Sequence, residues 1–164
     1  MTKLPTQRPS RVVIEPVAPL VDGGRYSAKA ALGEPVTVYA DVFGDGHDAV
    51  NAAVRWRTVS SKGRAAKWTE VAMQFDGNDR WHATFSPTQL GGHEYEVVGW
   101  SDHPETWRHG TVRKVEAGIE VSVELMAGQA IVKRLLDQAR AAKPAAKPDI
   151  ARLEAWLAEL VKGG

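Results

Sequence analysis

The chain has 164 residues, a formal net charge of +1 and no cysteine, and 43% of its residues are hydrophobic and 25% are charged. That length accommodates one ordinary domain with a small appendage and excludes a (β/α)₈ barrel, which needs roughly 200 residues or more. The absence of cysteine excludes disulfides and thiolate metal sites, and the near-zero net charge argues against a general nucleic-acid-binding protein. Six tryptophans must lie either in a core or on a binding face.

The first ten residues are polar, contain Pro5 and Pro9 and show no periodicity, which predicts a flexible leader over residues 1–10. They lack the continuous apolar segment of an export signal. No stretch of the chain approaches the roughly 20 apolar residues that a membrane span requires. The sequence therefore predicts a cytoplasmic protein with neither a membrane nor a nucleic acid as partner.

From Arg11 to residue 117, apolar and polar residues alternate, as they do along a strand with one buried face. The alternating runs lie at residues 12–14, 36–42, 54–58, 69–73, 80–85, 95–100 and 111–115. Turns rich in glycine and aspartate separate these runs, and the clearest hairpin joins Trp68–Phe75 to Arg80–Phe85. The pattern predicts a mainly-β fold, an immunoglobulin-like antiparallel sandwich of about seven strands over residues 11–117.

After Gly118 the apolar residues recur at intervals of three and four, which is typical of one face of an α-helix. Prolines at 144 and 148 interrupt this pattern, and a second amphipathic segment follows, so residues 118–164 are predicted to form a C-terminal α-helical hairpin. Two helices cannot bury both of their faces alone. We therefore expect helix packing or a dimer to cover the apolar stripe, whose candidate contact residues are Leu125, Val132, Leu136, Leu153 and Leu157.

The tryptophans divide into core and surface candidates. Trp56 and Trp81 fall on the apolar sides of their strands and are predicted to lie in the core. Trp68 stands at a strand start, and Trp100 and Trp107 bracket a predicted loop over residues 101–106. An aromatic edge of this kind stacks on sugar rings or covers a protein interface, and the sequence leaves both alternatives open. The candidate carbohydrate or interface contacts are Trp68, Trp100, His103, Trp107 and Arg108.

The residues that could carry chemistry do not form a recognised site. Asp41, Asp45, His47 and Asp48 surround a glycine turn, but their spacing does not match an EF-hand loop, and we interpret them as solvated turn residues. The chain has no Gly-x-Ser-x-Gly elbow, no His-Glu-x-x-His pair and no glycine-rich phosphate loop. We therefore predict no catalytic, metal-binding or cofactor-binding residue and no cofactor.

Several phrases of the sequence together resemble one family. They lie at residues 11–17 (RVVIEPV), 21–29 (VDGGRYSAK), 33–36 (GEPV), 41–43 (DVF), 46–50 (GHDAV), 99–102 (GWSD), 106–109 (TWRH) and 115–121 (VEAGIEV). In this order, and over residues 11–135, the chain resembles the N-terminal domain of the α-1,4-glucan:maltose-1-phosphate maltosyltransferases, the GlgE family.

This resemblance implies a β-sandwich that is interrupted by a helical bundle and followed by an amylase-type barrel. The family's full-length glycosyltransferase moves maltosyl units from maltose-1-phosphate to an α-glucan, releases phosphate and retains configuration, with an aspartate nucleophile and a glutamate acid/base on the barrel. Because that barrel is absent here, the resemblance implies that this chain alone is not an enzyme. It also implies a role in homodimer assembly beside the parent catalytic domain, with α-glucan or maltose-1-phosphate reached through the parent enzyme.

Two functional hypotheses follow from these observations. The first is a non-catalytic N-terminal module of an α-glucan-building maltosyltransferase, which assembles its subunits and borders the active site. The alternative is a stand-alone α-glucan-binding module that uses Trp68, Trp100 and Trp107. Beyond residue 140 the chain departs from the family pattern, so the helical hairpin is interpreted as a shortened helical insertion, in either a truncated chain or a stand-alone relative.

Overall fold

A computed structural model describes residues 11–59, 66–142 and 147–163 of the protein. The predicted leader, residues 1–10, lies outside the described residues. The chain divides into two compact units between Ser101 and Asp102. We call them the β unit and the helical unit, after the strands and helices that build them.

In the part of the β unit that the structure describes, seven strands, all paired antiparallel, form two sheets. They are β1 (Val12–Ala18), β2 (Val36–Gly44), β3 (Val50–Val59), β4 (Thr69–Ala72), β5 (Gln74–Gly77), β6 (Arg80–Phe85) and β7 (Gly92–Ser101). The four-stranded sheet has the order β1-β2-β6-β5, and the three-stranded sheet has the order β4-β3-β7. The first order matches the A-B-E-D sheet of the immunoglobulin fold. The predicted mainly-β antiparallel sandwich is confirmed.

The core of the β unit lies between the inner faces of the two sheets. Val38, Val42 and Val54 are at most 2% exposed, because alternation turns them inward from β2 and β3. Trp81 is buried beside them, and its indole N–H donates to the carbonyl of Val42 at 3.2 Å. Trp56 stacks on a core phenylalanine with ring centroids 4.9 Å apart. Both tryptophans that the alternation assigned to the core therefore pack there.

The strand predicted over residues 68–75 divides between the two sheets. β4 pairs with β3, whereas β5 pairs with β6, so the chain changes sheets at Met73. Met73 is buried, and its N–H donates to the carbonyl of Ala52 at 2.9 Å. The hairpin from β5 to β6 is confirmed, while the single strand that was expected to lead into it is wrong. Alternation continues through such a corner and does not reveal it.

The helical unit contains α1 (His103–Glu116), α2 (Ser122–Ala141) and α3 (Lys147–Lys162). The predicted loop at 101–106 and the predicted strand at 111–115 are both wrong, because α1 covers most of these residues. The carboxylate of Asp102 accepts the N–H of Glu105 at 2.8 Å and caps the helix. Within residues 111–115 only Val112 and Val115 are apolar, and so short a pattern does not distinguish a strand from a helix. The cap by Asp102 favours the helix. The helical unit thus begins at Asp102, whereas the sequence placed the start of the hairpin at residue 118.

Helices α2 and α3 form the predicted hairpin. They run antiparallel, since the side chain of Gln129 donates to the carbonyl of Leu160 near one end and Arg140 pairs with Glu154 near the other. The buried residues of their interface are Val132, Leu136 and Leu153, with Leu135, Ala139, Ile150, Leu157 and Leu160 partly buried around them. Among the described residues, no helix has the length and apolarity needed to cross a membrane.

Candidate functional site

Trp68 is the centre of a cluster on the outer face of the three-stranded sheet. The guanidinium carbons of Arg57 and Arg55 lie 4.0 and 5.1 Å from the centroid of its ring. Both distances are within the range of cation–π attraction, about 6 Å. Glu94 and Glu96 complete the cluster by pairing with the two arginines. We call these five residues the Trp68 cluster.

The register of β3 and β7 builds this cluster. Arg55 stands opposite Glu96 and Arg57 opposite Glu94, and the nitrogen of Arg55 is 3.1 Å from the carboxylate of Glu96. The alternation already placed both arginines on the face opposite Trp56. The glutamates as partners were missed, because a single sequence does not reveal which residues face each other across two strands.

The charges of the Trp68 cluster cancel, since two arginines face two glutamates. The cluster therefore does not form a general anion site. It offers a tryptophan ring that the arginines hold in place, surrounded by groups that donate and accept hydrogen bonds. Such a surface suits a sugar ring or the side chains of another protein.

Trp100 lies on the same sheet face as Glu94 and Glu96, at an even spacing from them along β7, and is 42% exposed. Trp100 follows Glu96 by four positions along β7, a displacement of about 13 Å. The structure therefore brings Trp68 and Trp100 onto one face of the sheet but not into one contact cluster.

Trp107 lies in the helical unit and is fixed between α1 and α2. Its indole N–H donates to the carbonyl of Glu124 at 2.7 Å. The edge of its ring lies against Gly128, where an added Cβ would be 2.1 Å from Cζ2 of the indole. Its N–H and one ring edge therefore serve packing, which leaves less of the ring for a ligand than the sequence suggested.

His103 and Arg108 are exposed residues of α1. Arg108 donates two hydrogen bonds to the carboxylate of Glu105, at 2.7 and 2.6 Å, and the imidazole of His109 is 2.8 Å from the same carboxylate. The hydrogen bond from Arg108 lowers the pKa of Glu105 and raises the pKa of Arg108 itself. The guanidinium of Arg108 is thus occupied within its own helix.

The apolar stripe of the helices is covered within the chain. Val132, Leu136 and Leu153 are buried, and Leu125 and Leu157 are half-buried. From the sequence we expected either helix packing or a dimer to cover these residues. The pairing of α2 with α3 covers the three buried residues, so they do not require a second chain.

The acidic residues near the Gly46 turn are paired with arginines. Asp45 and Asp48 lie 2.9 and 3.6 Å from Arg11, and Asp41 lies 2.9 Å from Arg80. Within the described ranges, no three histidine or acidic residues are grouped as a metal ion would require. His82 also has a local partner, because a nitrogen of its ring lies 2.8 Å from the carboxylate of Asp76.

The architecture is that of an immunoglobulin-like sandwich followed along the chain by a helical unit. Residues 10–163 match the family described as alpha-1,4-glucan:maltose-1-phosphate maltosyltransferase, domain N/S, and the chain belongs to this family. The resemblance seen in the sequence is confirmed. The match also extends through α3, so the hairpin does not depart from the family domain after residue 140.

Curated relatives carry the same description. The alpha-1,4-glucan:maltose-1-phosphate maltosyltransferase of Myxococcus xanthus is 43% identical over 148 residues, which cover 90% of this chain and 22% of the relative. The protein of that name from Chlorobaculum tepidum is 47% identical over 123 residues, 75% of this chain and 18% of the relative. The one from Rhodospirillum rubrum is 38% identical over 162 residues, 95% of this chain and 23% of the relative. This chain therefore spans about a fifth of the length of these relatives.

Proposed function

We propose that this chain is the non-catalytic N-terminal module of a cytoplasmic α-1,4-glucan:maltose-1-phosphate maltosyltransferase, and that it holds two subunits together and borders the active site. The observation that carries this proposal is the family match over residues 10–163, within relatives about five times as long. In this role the chain needs a stable framework and contact surfaces. The transfer of maltosyl units from maltose-1-phosphate belongs to the rest of the polypeptide.

Exposed apolar residues of the helical unit support a role in assembly. On α2, Val123 and Met126 are 64% and 60% exposed, and Trp156 on α3 is 53% exposed. Val123 is nine residues from the buried Val132, or about 180° around the helix, so it points away from the α2–α3 interface. Exposed apolar surface of this kind marks protein contacts. We therefore assign the subunit contact to this outer face of α2, and not to the stripe that the sequence suggested.

Sedimentation of the isolated chain tests the assembly role. We expect a dimer at micromolar to millimolar concentrations. The double variant Val123→Glu/Met126→Glu should raise the dissociation constant of this dimer at least tenfold, because two charges would be buried at the contact. Leu90→Glu is the matched control, since Leu90 is 84% exposed and lies in the β unit. A chain that stays monomeric throughout this range would contradict the homodimer.

A second function, α-glucan binding, is favoured by one observation. Trp68 is stacked by two arginines and shares its sheet face with Trp100, so two aromatic rings and several hydrogen-bonding groups lie on one surface. The sequence also named Trp107 for this function, but the packing of its ring against Gly128 disfavours it.

Titration with maltoheptaose, followed by tryptophan fluorescence and chemical shifts, tests this second function. We expect a dissociation constant in the millimolar range and its loss in Trp68→Ala, because stacking on the ring contributes most of the contact. Trp156→Ala, a change of an exposed tryptophan in the helical unit, should leave binding unchanged. The absence of any response at millimolar sugar would exclude glucan binding by this chain.

A further inference from the structure

The connection between β1 and β2 is unusually long and fully accessible. It comprises residues 19–35, in which the regular structure is one short 3₁₀ turn at Asp22–Gly24. Every residue from Leu20 to Pro35 is exposed. Connections of this length without regular structure are uncommon in compact domains, and those that are ordered usually carry a function. We call this segment the β1–β2 loop.

The β1–β2 loop is held in one shape by contacts within the β unit. The hydroxyl of Tyr95 donates to the carbonyl of Pro19, and the N–H of Gly33 donates to the carbonyl of Pro87 at 2.9 Å. Val21 and Tyr26 form a backbone bridge around a tight turn. Gly24 has a φ of 89° in that turn, a left-handed value that favours glycine. Both ends and the turn of the loop are thus fixed before any partner arrives.

This fixed loop presents large apolar side chains outward. Leu20 is 57% exposed, Val21 43%, Tyr26 58% and Leu32 54%. The charges of the loop cancel, because Asp22 and Glu34 balance Arg25 and Lys29. A surface of this composition does not attract nucleic acid or an anionic membrane. Three of its four large exposed apolar side chains are aliphatic, and Tyr26, with the guanidinium carbon of Arg25 5.7 Å from its ring centroid, is its one aromatic ring, so a sugar would find a single ring to stack on. Its chemistry fits the apolar surface of a protein.

We propose that the β1–β2 loop docks this chain onto the catalytic part of the maltosyltransferase polypeptide, the part that lies outside the matched segment. This inference rests on the proposed function. The matched segment is about a fifth of each relative, so in the proposed enzyme the other four-fifths would be covalently attached and would stand at high effective concentration. A loop that is already ordered loses little conformational entropy on docking. The occupant is therefore the parent polypeptide and not a separate protein.

Amide hydrogen exchange tests the docking in a hybrid enzyme, in which this chain replaces the matched segment of the Myxococcus xanthus relative. We expect the amides of residues 20–32 to exchange at least tenfold more slowly in the hybrid than in the isolated chain. Tyr26→Ser with Leu32→Ser should abolish that protection. Tyr39→Ser, which changes another exposed tyrosine, 42% exposed on β2, should preserve it.

The outcomes separate the docking from the proposed function. An active, dimeric hybrid whose loop amides stay unprotected overturns the docking and leaves the proposed function intact. Protection in the isolated chain that rises with its own concentration assigns the loop to a second copy and also overturns the docking. If the hybrid does not fold, the docking is tested by calorimetry, which measures binding of the isolated chain to the separately expressed remainder of the relative. No binding at 100 µM overturns the proposal, whereas binding that Leu32→Ser weakens tenfold supports it.

Discussion

Replacing Gly128 by alanine is expected to destabilise the helical unit by about 2–3 kcal/mol, because the new methyl group has no room. Its Cβ would lie 2.1 Å from Cζ2 and 2.7 Å from Cε2 of the Trp107 indole. That ring cannot move aside freely, since its N–H is bonded to the carbonyl of Glu124. Urea unfolding followed by circular dichroism at 222 nm measures the change, because helices dominate the signal at that wavelength.

Gly110 provides the matched control for this substitution. It lies within α1, and nothing stands within 4 Å of a Cβ placed there. Gly110→Ala should therefore stabilise the chain, by about 0.5–1 kcal/mol, through helix propensity alone. The double variant Gly128→Ala/Trp107→Ala should lose no more free energy of unfolding than Trp107→Ala alone, because removal of the ring removes the clash. Equal effects at the two glycines would contradict the fixed position of Trp107.

Truncating Trp81 to alanine should have the largest effect in the β unit, a loss of about 3–5 kcal/mol in the free energy of unfolding. The ring is 8% exposed, and it fills the space between the sheets next to Val42. Truncation leaves a cavity and also removes the hydrogen bond to the Val42 carbonyl. Equilibrium denaturation, with the signal of strand amides read by nuclear magnetic resonance, measures this loss within the β unit.

Two further variants separate the contribution of the hydrogen bond from that of the buried ring and provide a surface control. Trp81→Phe keeps an aromatic ring and removes the N–H donor, so it should cost about 1–2 kcal/mol. Tyr39→Thr changes an exposed aromatic residue on the neighbouring strand and should stay within about 0.5 kcal/mol of the unchanged chain. A small loss for Trp81→Ala would mean that the core of the sandwich is not where the alternation and the structure place it.

The sandwich was predictable because its core residues obey a local rule. Val38, Val42 and Trp81 each alternate with polar neighbours, and strand geometry turns such residues to one side. The two-helix hairpin was predictable for the same reason, since Val132, Leu136 and Leu153 keep the spacing of a helix face. Patterns repeated over many residues carry enough information to fix the type of element.

Features that depend on which residues contact each other across different elements were not predictable. Arg57 pairs with Glu94 because of the register between β3 and β7. At the change of sheets, the N–H of Met73 donates to the carbonyl of Ala52, a residue distant in the sequence. The cap by Asp102 converted an expected loop and strand into α1. Trp107 then changed from a candidate ligand contact to a packing residue, because helices place it against Gly128. Each of these outcomes is set by tertiary contacts that one sequence does not display.

The proposed division of labour, in which this chain is a non-catalytic module and a catalytic part carries the transfer, is tested most directly by phosphate release from maltose-1-phosphate in the presence of a maltooligosaccharide. The isolated chain should release none, and the hybrid with the Myxococcus xanthus catalytic part should release phosphate at a rate comparable to that relative. Release by the isolated chain, or a folded and dimeric hybrid that releases none, would contradict the account.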